Sequence, residues 1–286
     1  MIASPSVLNR SPNDVAQALT GRPHVSYSEI KTYQNCPLKW HFQYVEKAKP
    51  EQLSGAMLLG SCVHAALEAF YQAMLASEPL PSIDQLMTVY RNHWVQEAKD
   101  IPIQFAKGQD ATTLEATARR MLETFLGGEF ALPEGKIIGI EESFTVTLAH
   151  DLPDLAGRVD MITHNNGELI ITDFKTARSI PTEEDAEDQG EQLILYAKGC
   201  EPIARELGAT IRLRFVYISK TKEPRIEAME VTIDNSRVER TKAVARQVYR
   251  AMKNNVVYPA PSPITCSGCS FASRCRDWHR SGFGRT

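Results

Sequence analysis

The sequence predicts a mixed α/β domain: a β-sheet core flanked by helices, with a helical insertion ahead of it and a cysteine-rich segment after it. Three observations predict this. Apolar residues recur at helical spacing through the first half, as at Val63, Leu67, Phe70 and Met74. After Pro133 the pattern changes to strand-like runs, two of them joined by Asn166-Gly167, a two-residue hairpin signal. The composition, 43% hydrophobic and 23% charged over 286 residues, suits a globular chain with a sizeable core.

The elements follow in order. Residues 1–24 read as a loose arm. Ser26 and Glu29 have the spacing of a capping box at the head of a helix, and Pro37, directly after Cys36, breaks that helix. A second helix is expected from about Ser61, and two more over about 83–99 and 112–126, the last stopped by Gly127-Gly128. "KIIGIEESFTVTL", "LAGRVDMITH" and "ELIITDFKT" read as strands. "TEEDAEDQGEQLILYAKGC" reads as a helix with Thr182 and Asp185 as its capping pair. Strands "IRLRFVYIS" and "RIEAMEVTI" follow, then a basic helix from about 235 to 253 and a Pro-rich, then Cys-rich, tail. The expected organisation is one domain over 25–286, with the helical insertion at about 75–130, the core at about 134–253 and a terminal segment at 260–280. There is no internal repeat and no Walker-type phosphate loop.

Several classes are set aside. No stretch approaches the roughly 18 apolar residues of a membrane span, so no membrane partner is expected. The first residues lack the apolar region of a secretory signal, which makes the cytoplasm the expected location. The net charge is −3, but its distribution is uneven. From Arg237 to Thr286, ten Lys/Arg face only Glu239 and Asp277, a net +8 that leaves −11 elsewhere. Such asymmetry fits a basic surface beside an acidic site, and equally a solvated helix face.

The hairpin carries the first chemistry. A two-residue turn at Asn166-Gly167 sets a register in which Asp160 faces Asp173 and Arg158 faces Lys175. Directly paired side chains stand roughly 4.5–5.5 Å apart at Cβ. Two carboxylates that close repel each other unless one is protonated or a cation lies between them. An oxygen-rich site of this kind suits Mg²⁺ or Mn²⁺. Lys175, two residues beyond Asp173, projects from the same strand face.

Together these residues join a wider pattern: Gly60/His64, then Gly157-Arg158-Val159-Asp160, then Asp173-Phe174-Lys175, then Gln192/Tyr196. This order, G-x-x-x-H, G-R-x-D, D-x-K, Q-x-x-x-Y, resembles the RecB-like branch of the PD-(D/E)XK nuclease superfamily, from Ser26 to Cys275. The resemblance implies a restriction-endonuclease-like sheet and metal-dependent hydrolysis of DNA phosphodiesters. By it, His64, Asp160, Asp173 and the backbone carbonyl of Phe174 are metal ligands. Lys175 is the catalytic lysine, and Gln192, Tyr196 and Arg158 position DNA and the site. Glu141, on the preceding strand, corresponds to an auxiliary acidic position.

The tail adds "CSGCSFASRC", which places Cys266, Cys269 and Cys275 in a C-x2-C-x5-C run. Three thiolates are an incomplete tetrahedral set, and Cys36 is the candidate fourth. One early cysteine and three late ones are similar to the pattern that holds a 4Fe-4S cluster in AddB-type helicase–nucleases and CRISPR-associated exonucleases. Zn²⁺ in the same four-thiolate site is the alternative, and disulfides do not suit a cytosolic chain. Cys62 and Cys200 read as small buried residues. Arg274, Arg276 and Trp278 have the cation-plus-aromatic composition that suits a single strand, or Trp278 packs on the cysteine segment. Tyr33, Trp40, Phe42 and Tyr44 read as core.

The expected activity is therefore an Mg²⁺/Mn²⁺-dependent deoxyribonuclease, acting as an exonuclease on DNA ends or single-stranded DNA in repair, recombination or processing. A nucleic-acid-binding accessory subunit of a repair complex, with a residual nuclease site, is the alternative. A nuclease whose helicase is a separate chain is a further one.

Overall fold

Asn166 and Gly167 both take positive φ, 48° and 82°. This is the backbone of a type I′ turn, whose twist matches that of the strands it joins. The computed structural model describes residues 24–281; the expected arm lies outside them except for His24. Around that turn, strands β5 (Asp154–Asn165) and β6 (Glu168–Ala177) pair antiparallel from Asn165↔Glu168 to Met161↔Thr172. β6 then runs parallel to β7 (Thr210–Ser219) along its whole length, and β7 pairs antiparallel with β8 (Ile226–Val231). On β5, strand β4 (Lys136–Val146) pairs antiparallel, and the short β1 (His24–Ser26) pairs parallel at residues 154–156.

One consequence positions the site. Ala156 pairs with β1 and β4 at once, and Met161 with β4 and β6 at once. β1 and β6 therefore share one edge of β5, at its two ends. Residues 157–160 between them have no strand partner on that edge among the described residues. The sheet forks there.

Helices α1 (Tyr27–Asn35) and α2 (Pro37–Trp40) flank the extended Cys36. Helices α3 (Gly55–Leu75), α4 (Ile83–Glu97) and α5 (Ala111–Leu126) cover one sheet face, burying Leu67, Phe70, Tyr71, Met121 and Phe125 against Met161, Phe174 and Val216. On the other face, the short α6 (Glu183–Asp188) leads into α7 (Glu191–Leu207), which buries Leu193, Ile194 and Ala197 against Ile171, Leu213 and Phe215. Helix α8 (Asn235–Lys253) packs Ala245, Val248 and Met252 against Ile30 and Tyr33 of α1. Two short helices, α9 (Pro263–Ser267) and α10 (Ala272–Arg280), carry the late cysteines. Early and late segments meet: Tyr33 Oη donates to Val256 O at 2.6 Å and Leu38 N to Tyr258 O at 3.0 Å.

Several expectations change. Ser26 caps α1 by accepting from Glu29 N, and the Glu29 carboxylate also accepts from Trp40 Nε1 (3.0 Å). α3 begins at Gly55, six residues before Ser61. The expected helix over 182–200 is split at Gln189-Gly190; Gly190 also packs closely on β8, where a Cβ would stand 2.4 Å from Val231. Thr182 and Asp185 do form the full capping box. A two-residue parallel pair, β2 (Leu53–Ser54) with β3 (Ile103–Gln104), was not expected.

Candidate active site

The fork brings the acids together. Asp160 Oδ2 accepts from Phe174 N at 2.7 Å, so its carboxylate occupies the place a ladder carbonyl would have taken. The ladder stops at Met161↔Thr172 for this reason. The direct pairs expected from the turn, Asp160 with Asp173 and Arg158 with Lys175, are not formed. Arg158 is mostly exposed, and its Nε lies 2.6 Å from Glu141 Oε2. Gly157, the glycine of G-R-x-D, is required by packing: a Cβ there would stand 2.5 Å from the Phe144 ring.

Glu141 sits opposite Asp160, between the pairs Ile140↔Met161 and Glu142↔Val159, and takes φ 52°, with no ladder pair of its own. A left-handed backbone at a non-glycine residue costs energy and is concentrated at functional sites. The Glu141 carboxylate reaches into the fork.

His64 arrives from α3. A Cβ on Gly60 would come within 2.8 Å of Thr176 Oγ1, so glycine lets α3 lie close on β6. One turn further on, His64 Nδ1 stands 3.5 Å from Asp160 Oδ2. His64, Glu141 and Asp160 each offer a ligand atom within 4.8 Å of the others, the one such group among the described residues.

Asp173 stands beside this group, engaged elsewhere. Its Oδ1 accepts from Gln192 Nε2 (3.0 Å), and Lys175 Nζ lies 2.7 Å from its Oδ2. Lys175 Nζ also donates to Gln192 Oε1 (2.9 Å), and Gln192 Nε2 reaches Tyr196 Oη (2.7 Å). The i, i+4 spacing on α7 thus puts Gln192 on Asp173 and Lys175 and Tyr196 on Gln192.

The electrostatics are those of crowded, buried acids. Burial, then Asp173, then Glu141 push the Asp160 carboxyl well above the ordinary range, against the Phe174 N–H and Lys175. Glu141 is pushed up to about 7, chiefly by burial, with Glu68 and Asp173 adding to it and Arg158 opposing. Burial lowers the His64 imidazole, partly offset by Asp173, and the Phe174 backbone also pulls it up. Glu141 Oε2 and Asp173 Oδ2 are shielded from water, and the cations Arg158 and Lys175 stand beside them. Buried carboxylate oxygens with one imidazole fit a hard divalent cation such as Mg²⁺ or Mn²⁺.

Sequence reasoning missed two residues here. Glu68 follows His64 by one helical turn and its charge acts on Glu141; the H-x-x-x-E spacing could have indicated it. Tyr27 bonds Glu191 and lies near Asp173 and Tyr196, which no local pattern announces.

The four named cysteines also converge. Cys36, Cys266, Cys269 and Cys275 line one cavity together with Leu38, Phe42 and Phe271. Burial, then the neighbouring Cys36, Cys269 and Cys266, push up the Cys275 thiol. Cys62 and Cys200 are buried elsewhere, each pushed up to about 12 by burial. Trp278 packs on the cysteine segment, and the Arg274 guanidinium lies 5.4 Å from the Phe42 ring centre. On α8, Arg246 pairs with Asp151 (2.7 Å) and Arg237 with Glu187, so part of the basic helix is neutralised internally.

A first expected result concerns Gly60. Gly60→Ala should push α3 off β6, carry His64 from Asp160 and weaken Mn²⁺ binding by about tenfold. Adding Thr176→Ala, which removes the clashing oxygen, should restore most of it. Isothermal titration with Mn²⁺ checks both; an unchanged affinity in Gly60→Ala would refute the close-packing role.

The model of the PD-(D/E)XK nuclease superfamily matches this chain over residues 24–276. Among solved structures, a "Putative exonuclease" from Eubacterium rectale is 12% identical and superposes with a TM-score of 0.54, over 97% of this chain and 93% of that one. At that identity the likeness is one of fold. A second structure, SSO0001, is 16% identical with a TM-score of 0.34, over 87% of this chain and 95% of that one, and carries no argument. No curated protein matches.

Proposed function

Because this chain belongs to the PD-(D/E)XK nuclease superfamily, we propose that it is a divalent-metal-dependent deoxyribonuclease of the RecB-like kind. In this reading it is an exonuclease acting on DNA ends or single strands in repair, recombination or processing. The observation that carries it is the fork: His64, Glu141 and Asp160 within ligand distance of one another, beside the Asp173–Lys175–Gln192 ring. The similar fold of a protein named "Putative exonuclease" is consistent with end-directed action.

His64, Asp160, Asp173 and the Phe174 carbonyl are the residues that would hold Mg²⁺ or Mn²⁺, with Glu141 as a further acid. When bound, such an ion neutralises the anionic phosphodiester and lowers the pKa of water. The chain's own groups do the rest. The Phe174 N–H fixes one Asp160 oxygen. Lys175 supplies a positive charge where the five-coordinate phosphorus becomes more negative. Gln192 holds Lys175 and Asp173 at a set spacing, and Tyr196 holds Gln192.

For the cysteines the proposal is a 4Fe-4S cluster. Cys36, Cys266, Cys269 and Cys275 line one cavity, which is what supports a shared inorganic centre. Zn²⁺ in the same four-thiolate site is the alternative, and iron and zinc analysis of the anaerobically purified protein separates the two.

A time course on 5′- and 3′-labelled single- and double-stranded DNA tests this function. Degradation should require Mn²⁺ or Mg²⁺, stop on chelation and proceed from an end. DNA binding without cleavage under every metal would overturn it in favour of an accessory binding subunit.

A further inference from the structure

The segment just before α3 is tied to the cysteine segment by an unusual set of bonds. Glu51 places its two carboxylate oxygens on the first turn of α10, accepting from Ser273 N at 2.9 Å and Arg274 N at 2.8 Å. Those N–H groups have no partner within their own helix, and Phe271 at the N-cap position makes no side-chain cap. A carboxylate from 222 residues upstream does the capping instead. The Glu51 N–H donates back to Ser270 O at 2.8 Å. Gln52 Nε2 reaches Cys269 O (3.4 Å) and Gln104 Oε1 (3.1 Å), and Gln104 Nε2 reaches Ser267 O (3.0 Å).

Glu51 stands at the root of the active-site helix. Gln52 leads into β2, and β2 passes without a loop into α3, which carries His64. The start of α3 is poorly held by its own residues: Ser54 makes no side-chain cap and the first turn carries no acid. Its anchorage comes from outside: the β2–β3 pair, Lys220 Nζ donating to Ala56 O (3.0 Å), and Glu51.

We infer that Glu51 is a positioning residue for the metal centre: by clamping the cysteine segment to the root of α3, it sets where His64 stands in the fork. The inference rests on the proposed function only in taking His64 as a metal ligand. It makes the cysteine segment part of the active-site scaffold. A disturbance at Cys269 or α10 reaches His64 through Glu51, Gln52 and β2.

The test uses the full chain, with Mn²⁺ as the probe. Mn²⁺ affinity is followed by electron paramagnetic resonance, and hydrogen exchange is followed over residues 53–64. Glu51→Gln weakens the caps and should lower Mn²⁺ affinity by about tenfold, with faster exchange confined to 53–64 and the α10 turn. Glu51→Asp should recover much of both. Ser273→Pro removes one capped N–H at a first-turn position that tolerates proline, and should reproduce the effect from the other side should Glu51→Gln fold poorly. Exchange and Mn²⁺ affinity equal to wild type in Glu51→Gln and Ser273→Pro would overturn the inference. Failure of the nuclease reading looks different: wild type itself would show no Mn²⁺ site that His64→Ala removes, while the exchange over 53–64 would still judge the clamp.

Discussion

Asp160→Asn should lower DNA cleavage by about 10²–10³-fold or more, and should at the same time raise the melting temperature of the metal-free protein. The first effect follows from losing a charged oxygen from the group that His64 and Glu141 complete. The second follows from the sign of the carboxyl's shift. Asp160 titrates well above the ordinary range in the folded chain, from burial and from Asp173 and Glu141. An acid whose folded value is raised disfavours folding at any pH above its unfolded value of about 3.9; the penalty begins to shrink as pH falls below the folded value and is gone below the unfolded one. Asparagine carries no charge, and its oxygen can still accept the Phe174 N–H. Thermal melts at pH 7–8 with chelator should show the variant ahead of wild type, with the gap narrowing on acidification. Adding Mn²⁺ should raise the wild-type midpoint alone, since only that protein binds the ion tightly. A variant that melts at or below wild type without metal would contradict the account of crowded acids.

Phe174→Ala should cost about 3–5 kcal/mol of stability while leaving the site's main-chain contacts in place. Phe174 is buried, with its ring stacked on Tyr71 at 5.7 Å between centres. Tyr71 in turn packs edge-on to Phe70 and Phe125, and its hydroxyl donates to Phe130 O at 2.5 Å. Removing the ring opens a void at the centre of the α3–sheet interface, which a close-packed core closes only in part. Its N–H to Asp160 is backbone and survives the change. Urea unfolding should show the loss, and Phe174→Leu should restore more than half of it. Cleavage per folded molecule, measured well below the midpoint, should stay within about tenfold of wild type. A small stability loss with abolished cleavage would mean that the ring itself serves the chemistry.

What could be read from the sequence was local. Asn166-Gly167 specified the hairpin because a type I′ turn needs two positive φ angles, and Thr182 with Asp185 specified a helix start by reciprocal capping. The order of His64, Asp160, Asp173, Lys175, Gln192 and Tyr196 named the side chains that the fold gathers round one fork. The fork itself was not legible. Extending the hairpin register past Met161 assumes an unbroken ladder, and the Asp160 carboxylate breaks it by taking the Phe174 amide. The left-handed Glu141 is equally hidden, since a glutamate at φ 52° has no sequence signal. Neither are the glycines at 60 and 157 explained until the opposing Thr176 and Phe144 are seen. Glu51 caps a helix far along the chain, a relation that no sequence window contains.

That last separation has a consequence during synthesis. Glu51 and the turn it caps leave the ribosome 222 residues apart, which at about 5–20 residues per second is roughly 10–45 s. For most of that interval, once residue 75 is made, the growing chain holds its histidine helix, and for part of it all its acids, but the far half of the buckle does not yet exist. The last of this machinery is fastened only once Arg274 has been made, so a chain stopped before the α10 turn would carry every ligand and still lack the frame that aligns them.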